Sequence, residues 1–236
     1  MIDWRRHRAL IFSPHPDDEV IGCGGLINKI KDRGGQVFVN FVTLGDTQDR
    51  SDLGRSTASE RTSEIERVAG VLKYDEWDIA LPGAEHHLRL DALPGVELIA
   101  ALEHGSRLSL AAVEPTVVLL PSPVSYNQDH RAVADAALTA LRPMQAGDSG
   151  PVEIVALFEE VADQWTPHAD VAPNLFVSLD RRDVDAKLAA MRAYASQVRP
   201  HPHTRSLEAL ETMTIVRGAH SGLAYAEAYR CVRLLG

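Results

Sequence analysis

The sequence predicts an α/β fold in which a Rossmann-like, mostly parallel sheet is flanked by helices and followed by a helical C-terminal part. Short runs rich in β-branched and aromatic residues alternate with longer stretches whose apolar residues recur at helical spacing. This repeated β-α-β order is typical of a parallel sheet with right-handed crossovers. After about residue 180 only helical patterns remain. With 236 residues, 45% of them hydrophobic, the chain suits a single domain over 1–236.

The strands are predicted from short apolar runs, and the helices from apolar residues spaced three or four apart. Val133, Ala137 and Leu141 show this helical spacing, and Gly34 with Gly35 is typical of a helix end. The turn-rich segment 143–151 is too short to separate two domains. The predicted strands are 9–13, 36–43, 76–81, 116–121, 153–158 and 175–179, and the predicted helices are 20–33, 56–72, 95–112, 130–141, 184–196, 206–213 and 224–234.

Composition and charge exclude several classes of protein. The chain has 24 basic and 33 acidic residues and a net charge of −9, which disfavours nucleic acid or an anionic membrane as its partner. No apolar run reaches the length of a membrane span. The two cysteines, Cys23 and Cys231, are too few for a disulfide framework. Since no apolar leader precedes the first strand, we expect a cytoplasmic protein, and the sequence leaves open whether it forms a homo-oligomer.

The segment 10–25 carries the strongest chemical signal in the chain. The first predicted strand runs into a turn that contains two prolines and holds His15, Asp17 and Asp18 before a helix begins. Open α/β folds place their chemistry at such strand ends. A histidine and an aspartate three residues apart can bind one divalent metal and leave the other aspartate as a base. The alternative is that the aspartates only cap the helix, but a cap needs no imidazole and no flanking prolines.

Later strand ends offer further groups for the same site. If the first strand is central in the sheet, the fourth strand lies beside or near it, so their carboxyl ends meet. The segments concerned are 43–47, 121–130, and Glu159 and Glu160 with Trp165.

His130, at the end of the fourth strand, is expected to meet His15 and Asp18. Two imidazoles and one carboxylate with an open position are typical of a catalytic zinc site. The same ligands also accept Fe2+, Co2+ or Mn2+. We expect Asp129 to hydrogen-bond the other ring nitrogen of His130 and so to fix its tautomer.

These motifs together carry a family resemblance. His-Pro-Asp-Asp-Glu at 15–19, the glycines that follow it, and Asp-His-Arg at 129–131 resemble the PIG-L/LmbE-like family of zinc-dependent N-deacetylases. The family acts mainly on N-acetylglucosamine conjugates, and the likeness spans nearly the whole chain. Further matching positions are Arg61 and Glu64, Lys187 with Tyr-Ala-Ser-Gln at 194–197, Arg217 with Gly218, and Ala226 with Glu227.

The resemblance implies roles for the residues of the two main motifs. His15, Asp18 and His130 are the ligands of one zinc ion per chain, and Asp17 is the general base that takes a proton from the attacking water. The implied reaction removes an N-acetyl or N-acyl group from a small-molecule amino-sugar conjugate such as an N-acetylglucosaminide.

Position 127 departs from the family pattern. Many members have His-Pro-Asp-His where this chain has Asn-Gln-Asp-His at 127–130, and the first histidine is assigned to stabilising the oxyanion. An asparagine still donates an N–H to an oxyanion, although it carries no charge. We therefore expect Asn127 and Asp129 to complete the catalytic set with Asp17.

Four residues are candidates for substrate binding. Arg61 and Glu64, one turn apart on a predicted helix, form an ion pair or reach substrate hydroxyls. Trp165 follows a strand end and is expected to line a sugar pocket. His203 lies on a C-terminal loop that could fold over the site and supply the cation absent at position 127.

Other polar or small residues have simpler interpretations. His86, His87 and His104 show no metal spacing and are expected at the surface. Glu19 is expected to support the catalytic residues or to favour the helix N-terminus. The glycines at 22–25 resemble a phosphate cradle only superficially, because the acidic motif before them repels phosphate.

Two other functions remain open on the sequence alone. One is a metal amidase acting on a different acylated small molecule, such as an antibiotic or an amino acid. The other is a metal-binding homologue with an impaired site, which Asn127 favours and an intact Asp17 disfavours.

Overall fold

The computed structural model describes residues 2–48, 54–143, 151–165 and 172–236. Most predicted strands and helices are present with ends shifted by a few residues, and most of the predicted linker at 143–151 lies outside the described residues. The strands are β1 (Arg8–Ser13), β2 (Gln36–Thr43), β3 (Thr47–Gln48), β4 (Arg55–Ser56), β5 (Glu76–Leu81), β6 (Val117–Leu120), β7 (Ile154–Phe158), β8 (Leu175–Leu179) and β9 (Tyr225–Leu234). The helices are α1 (Asp18–Asp32), α2 (Ala58–Leu72), α3 (Gly95–Ala100), α4 (Leu110–Val113), α5 (Gln128–Ala140), α6 (Arg181–Ala193) and α7 (Leu207–Ser221).

The main sheet has seven strands in the order β5-β2-β1-β6-β7-β9-β8. The strands from β5 to β7 are parallel, and β1 lies between β2 and β6, as the sequence predicts. The chain moves outward from β1 in one direction through β2 to β5 and in the other through β6 to β7. Crossovers on the two sides of β1 leave a crevice at its carboxyl end, which is where open α/β sheets bind their ligands.

Both faces of the sheet are buried. On β1, Ala9 and Ile11 belong to one core cluster, whereas Leu10 and Phe12 belong to another. This alternation follows from the two-residue period of a strand, and strands covered on both faces are apolar throughout. Helices α1, α2, α6 and α7 contribute to the first cluster, and α3 and α5 contribute to the second.

The expectation of a wholly helical C-terminal part is wrong. Residues predicted as a helix at 224–234 form β9, which pairs antiparallel with β7 and with β8. From Arg230 to Leu234 the more exposed and less exposed residues alternate, as in a strand. The alanines and leucines of this segment favour a helix, but hydrogen bonding to two neighbouring strands outweighs that propensity.

The single helix predicted over 95–112 is also wrong. Helix α3 passes into a wide π-type turn at Ala101–Gly105 and ends at Ser106, whose backbone is extended. A new helix, α4, then begins after Ser109, whose hydroxyl accepts the N–H of Ala112. A glycine in the helix interior and a serine that competes for backbone hydrogen bonds explain the break.

Helix α1 approaches the sheet closely because of its glycines. A Cβ atom on Gly22 would lie 2.4 Å from Cδ2 of Phe158, and one on Gly25 would lie 2.5 Å from Cδ1 of Leu179. The glycine cluster therefore serves helix-to-sheet packing, which agrees with rejecting a phosphate cradle. Among the described helices, none has the length and apolar character needed to cross a membrane.

A buried ion pair joins α1 to the C-terminal part of the chain. The Lys187 ammonium donates to Oε1 of Glu227 at 2.7 Å and to the carbonyl oxygen of Ile21 at 2.8 Å. The Glu227 carboxylate also accepts the main-chain N–H groups of Gly25 and Leu26, at 2.9 and 2.8 Å. These contacts hold α1 against α6 and β9, and so position the turn that precedes α1.

We expect Glu227→Ala to lower the free energy of unfolding by about 3–5 kcal/mol, because the Lys187 ammonium would remain buried without its counter-ion. Urea denaturation measures this loss. The double variant Lys187→Met/Glu227→Leu, which removes both charges, should recover part of the stability. A loss below about 1 kcal/mol for Glu227→Ala would show that the pair contributes little.

Candidate active site and metal centre

A cavity of about 630 Å³ opens at the carboxyl ends of β1, β6 and β7. Turns after the three strands bring polar side chains into it, as expected for the first, fourth and fifth predicted strands. The residues lining the cavity include His15, Asp17, Asp18, Asn127, His130 and Glu160.

The three predicted metal ligands converge at the base of this cavity. Oδ2 of Asp18 lies 3.4 Å from Nδ1 of His15 and 3.1 Å from Nε2 of His130. One potential ligand atom from each residue lies within 4.8 Å of the other two, and all three side chains are buried. The main-chain N–H of His15 donates to the same Oδ2 at 2.8 Å, which fixes the Asp18 carboxylate.

Asp129 supports His15 and not His130. Its Oδ2 lies 2.9 Å from Nε2 of His15, and its Oδ1 accepts the main-chain N–H of Leu90 at 2.9 Å. The expected bond to the His130 ring is therefore wrong. Because an ionised carboxylate only accepts hydrogen bonds, Nε2 of His15 is the donor, and its Nδ1 faces Asp18.

Glu160 occupies the place next to His130 that we assigned to Asp129. Nδ1 of His130 lies 3.4 Å from Oε1 of Glu160, and neither atom has another hydrogen-bond partner within the described part of the chain. Burial and the charges of Asp18 and Asp163 raise the pKa of Glu160 well above its usual range.

The electrostatic field at the convergence point favours a cation. Burial lowers the pKa of His15, but hydrogen bonds to Asp129 and Asp18 outweigh it and raise that pKa to about 9. Burial raises the pKa of Asp18, but the charges and hydrogen bonds of His130 and His15 outweigh it and lower that pKa below its usual range. Two imidazole nitrogens and a carboxylate oxygen in such a field fit a divalent transition metal with open positions.

Asp17 is separated from the three ligands by its backbone conformation. Its φ of 117° lies in the left-handed region, and its side chain makes no hydrogen bond to the start of α1. The capping interpretation is therefore wrong for Asp17. Its Oδ1 lies 3.4 Å from Nη2 of Arg61, and its Oδ2 lies 3.6 Å from Nη1 of Arg205. Burial and the Asp18 charge raise its pKa, while the two arginines oppose this shift.

Glu19 stabilises the turn before α1 through hydrogen bonds. Its Oε2 accepts the main-chain N–H of Asp17 at 3.1 Å, while its Oε1 accepts the hydroxyls of Tyr194 at 2.7 Å and Tyr74 at 3.0 Å. Burial raises the pKa of Glu19 to about 7 against these hydrogen bonds. Of the two expected roles, support of the turn that carries Asp17 and Asp18 fits these contacts.

Asn127 caps α5 and lines the cavity. Its Oδ1 accepts the main-chain N–H of Asp129 at 2.9 Å. Because that partner is a donor, the side-chain oxygen is identified, and the two N–H groups of the amide are left for other partners.

The four candidates for substrate binding separate into two groups. Arg61, Trp165 and His203 line the cavity. Glu64 does not: its carboxylate accepts the main-chain N–H and the hydroxyl of Ser196, both at 2.7 Å. These contacts join α2 to the segment after α6 and give no support to a substrate role for Glu64. Arg61 donates to the carbonyl oxygen of Pro16 as well as facing Asp17, so it also stabilises the turn before α1.

Several cavity residues escaped the sequence reasoning. His87, expected at the surface, is buried, and its ring packs 5.3 Å from that of His15. Burial and the charges of His15 and Arg61 lower its pKa to about 4, so it is neutral near pH 7. Arg205 and Tyr126 line the cavity from loops that carry no periodic signal. Glu160 was expected at this edge of the sheet from its position at a strand end, but its contact with His130 was not predicted.

The chain is similar in sequence to a known protein family and to a characterised deacetylase. The PIG-L family model, described as GlcNAc-PI de-N-acetylase, matches residues 10–141. A diacetylchitobiose deacetylase from Thermococcus kodakarensis is 28% identical over 252 residues, which cover 95% of this chain and 83% of the relative.

Solved structures share the fold. An N,N'-diacetylchitobiose deacetylase from Pyrococcus horikoshii matches with a TM-score of 0.68 and 24% identity over 98% of this chain and 85% of that one. GalB, a 4-carboxy-2-hydroxymuconate hydratase from Pseudomonas putida, matches with a TM-score of 0.71 and 22% identity over 97% and 98% of the two chains. The fold therefore serves more than one reaction. The family match covers more than half of the chain and includes all three convergent ligands, and the protein belongs to the PIG-L family.

Proposed function

We propose that this protein is a metal-dependent N-deacetylase that hydrolyses the N-acetyl group of an amino-sugar conjugate. The observation that carries the proposal is the position of Asp17, whose buried carboxylate lines the same cavity as His15, Asp18 and His130 but lies outside their convergent set. A site built only to bind a metal has no need of this fourth group. Membership of a de-N-acetylase family supports the same reaction.

His15, Asp18 and His130 would hold the metal, for which we propose zinc, one ion per chain. Fe2+, Co2+ and Mn2+ suit the same ligands. When bound, such a metal supplies Lewis acidity, which polarises a carbonyl oxygen and lowers the pKa of water.

Asp17 would act as the general base and then as the acid. Its carboxylate takes a proton from the attacking water and returns it to the nitrogen of the leaving amine. An ordinary aspartate is a weak base, and burial that raises the pKa of Asp17 moves it toward the range in which proton transfer is effective. Arg61 and Arg205 orient the carboxylate from the side away from the ligands.

Asn127 would stabilise the negative oxygen that forms when water attacks the amide. Its own oxygen is engaged by the main-chain N–H of Asp129, so the amide can present only N–H groups to the substrate. A donor held in this way before the reaction begins stabilises developing charge without further reorganisation.

We infer a sugar conjugate as the substrate because the curated relative is a deacetylase of diacetylchitobiose. The cavity volume of about 630 Å³ lies within the range of small-molecule sites, about 300–1,000 Å³. An acylated antibiotic or amino acid is the alternative substrate, and a substrate panel separates these cases.

The metal assignment predicts the metal content of variants. His15→Ala and His130→Ala should each lose nearly all bound metal, because two remaining ligands bind a divalent ion weakly. Elemental analysis of the purified proteins measures this. Asp17→Asn serves as the matched control and should keep the metal. Stoichiometric metal in both histidine variants would place the site elsewhere.

The reaction predicts acetate release from N,N'-diacetylchitobiose and related N-acetylglucosaminides by the metal-loaded protein. Asp17→Asn should lower kcat by about 10²- to 10⁴-fold, the usual contribution of a general base. Acetate and free amine are both quantified, so that one product checks the other. No release from any N-acetylated sugar would contradict the proposed function, and a near-normal kcat for Asp17→Asn would contradict only the assignment of the base.

If Asn127 donates to the oxyanion, its replacement should lower kcat. This effect can be separated from the loss of stability caused by removing the helix cap. Asn127→Ser keeps an oxygen that can cap α5 but removes the amide donors, so kcat should fall by about 10²-fold at unchanged metal content. Asn127→Ala should show the same fall in kcat and, in addition, a loss of about 1 kcal/mol in unfolding free energy. An unchanged kcat in Asn127→Ala, which leaves neither an amide nor a hydroxyl to donate, would overturn the donor role.

A further inference from the structure

Two exposed aromatic rings stand at the mouth of the cavity. Tyr126 is 50% exposed and Trp165 is 73% exposed, and both line the cavity that contains the ligands. Their ring centroids lie 6.5 Å apart, with the ring planes inclined at 45°. A single exposed aromatic residue is ordinary, but two adjoining rings beside a polar cavity form an apolar surface for which a ligand is the natural cover.

The backbone that carries these rings is held in place by polar contacts. Oδ1 of Asp163 accepts the Ser125 hydroxyl at 2.7 Å and the Tyr126 main-chain N–H at 3.3 Å. The carbonyl oxygen of Tyr126 accepts Nη1 of Arg131 at 2.9 Å. Asp163 belongs to the short 3-10 helix that ends at Trp165, so one carboxylate ties both aromatic segments together. A surface fixed in this way needs little ordering when a ligand binds.

The depth of the site determines which part of a ligand meets the rings. His15, Asp17, Asp18 and His130 are buried, whereas Tyr126 and Trp165 are largely exposed. A ligand whose acetamide reaches the buried groups therefore places the unit attached to its sugar ring at the mouth. The aromatic pair thus contacts the neighbouring unit of the conjugate and not the reacting amide.

The chemistry of the two aromatic rings favours a sugar as the neighbouring unit of the conjugate. One face of a pyranose ring presents several C–H bonds, which carry slight positive charge, and the face of an aromatic ring is electron-rich. Tyrosine and tryptophan add a hydroxyl and an N–H at their edges, which suit the hydroxyls around a sugar. No cation is needed for this recognition, so a neutral ligand suffices.

We propose that Tyr126 and Trp165 form a stacking subsite for the sugar ring attached to the reacting N-acetylhexosamine. This inference rests on the proposed function, because it assumes that the amide enters the cavity first. It makes the protein selective for an N-acetylated disaccharide or longer conjugate over the free monosaccharide.

The test is calorimetric titration of the full-length, metal-loaded Asp17→Asn variant, in which hydrolysis is slow, with N,N'-diacetylchitobiose and with N-acetylglucosamine. Adding Trp165→Ala should weaken disaccharide binding by about tenfold, near the low end of the loss seen when an aromatic ring that stacks on a nucleic-acid base is removed. Binding of the monosaccharide should weaken much less. Trp165→Phe, which keeps an aromatic face, should restore most of the disaccharide affinity.

Three outcomes would overturn the subsite. Equal losses for both sugars would show a general effect on the cavity, and no loss for either would show that the ring is not used. Tighter binding of p-nitrophenyl N-acetylglucosaminide than of the disaccharide, with the same dependence on Trp165, would assign the surface to an aromatic unit instead of a sugar. Failure of the proposed function can be distinguished from failure of the subsite. In that case the wild-type protein releases no acetate, whatever Trp165 contributes to binding.

Discussion

The turn between β1 and α1 depends on two buried polar side chains, one from the first turn of α1 and one from α2. Glu19 accepts the main-chain N–H of Asp17, and Arg61 donates to the carbonyl oxygen of Pro16. A non-glycine residue in the left-handed region costs about 1–3 kcal/mol, and such a conformation persists only where the surroundings impose it. Here it separates two adjacent carboxylates: Asp18 faces two imidazoles, and Asp17 faces two arginines. Adjacent residues can therefore serve as ligand and base.

The carboxylates beneath this turn explain why the site suits a cation. Asp18 and Asp129 are buried, and burying an ionised carboxylate is costly unless it is paired or bound to a metal. The imidazoles of His15 and His130 lie between these two residues and Glu160, so each ring has an acidic side chain beside both of its nitrogens. Such outer contacts fix the orientation of a ligating ring and raise its basicity. The candidate metal site thus depends on groups that come from distant parts of the chain.

The sequence allowed the central features to be predicted, because their signals are local or follow from sheet topology. His15, Asp17 and Asp18 lie on one turn, and His130 follows a strand that must end at the same edge of the sheet. The pairing of His130 with Glu160 could not be predicted in this way, although both residues were expected at the same edge of the sheet. Successive residues of a helix point about 100° apart, so Asp129 cannot face the ring of its neighbour and reaches His15 instead. His87 and Arg205 enter from loops, where no period relates sequence to direction. The error at β9 has another cause, since its pairing with two strands is a tertiary property that overrides local propensity.

The first turn of α5 combines three roles that constrain residue 127. Asn127 caps the helix, Asp129 orients His15, and His130 is a proposed ligand, all at an end where the helix dipole favours negative charge. A neutral histidine at 127 would have one ring nitrogen to cap the helix and the other to donate. On protonation both nitrogens become donors, and the cap is lost. Asparagine has an acceptor and donors that do not titrate, so it keeps the cap and the proposed oxyanion contact at any pH. Unlike a protonated histidine, asparagine carries no positive charge. In this chain a positive charge is present in the same cavity on Arg205, whose guanidinium lies 3.6 Å from Asp17.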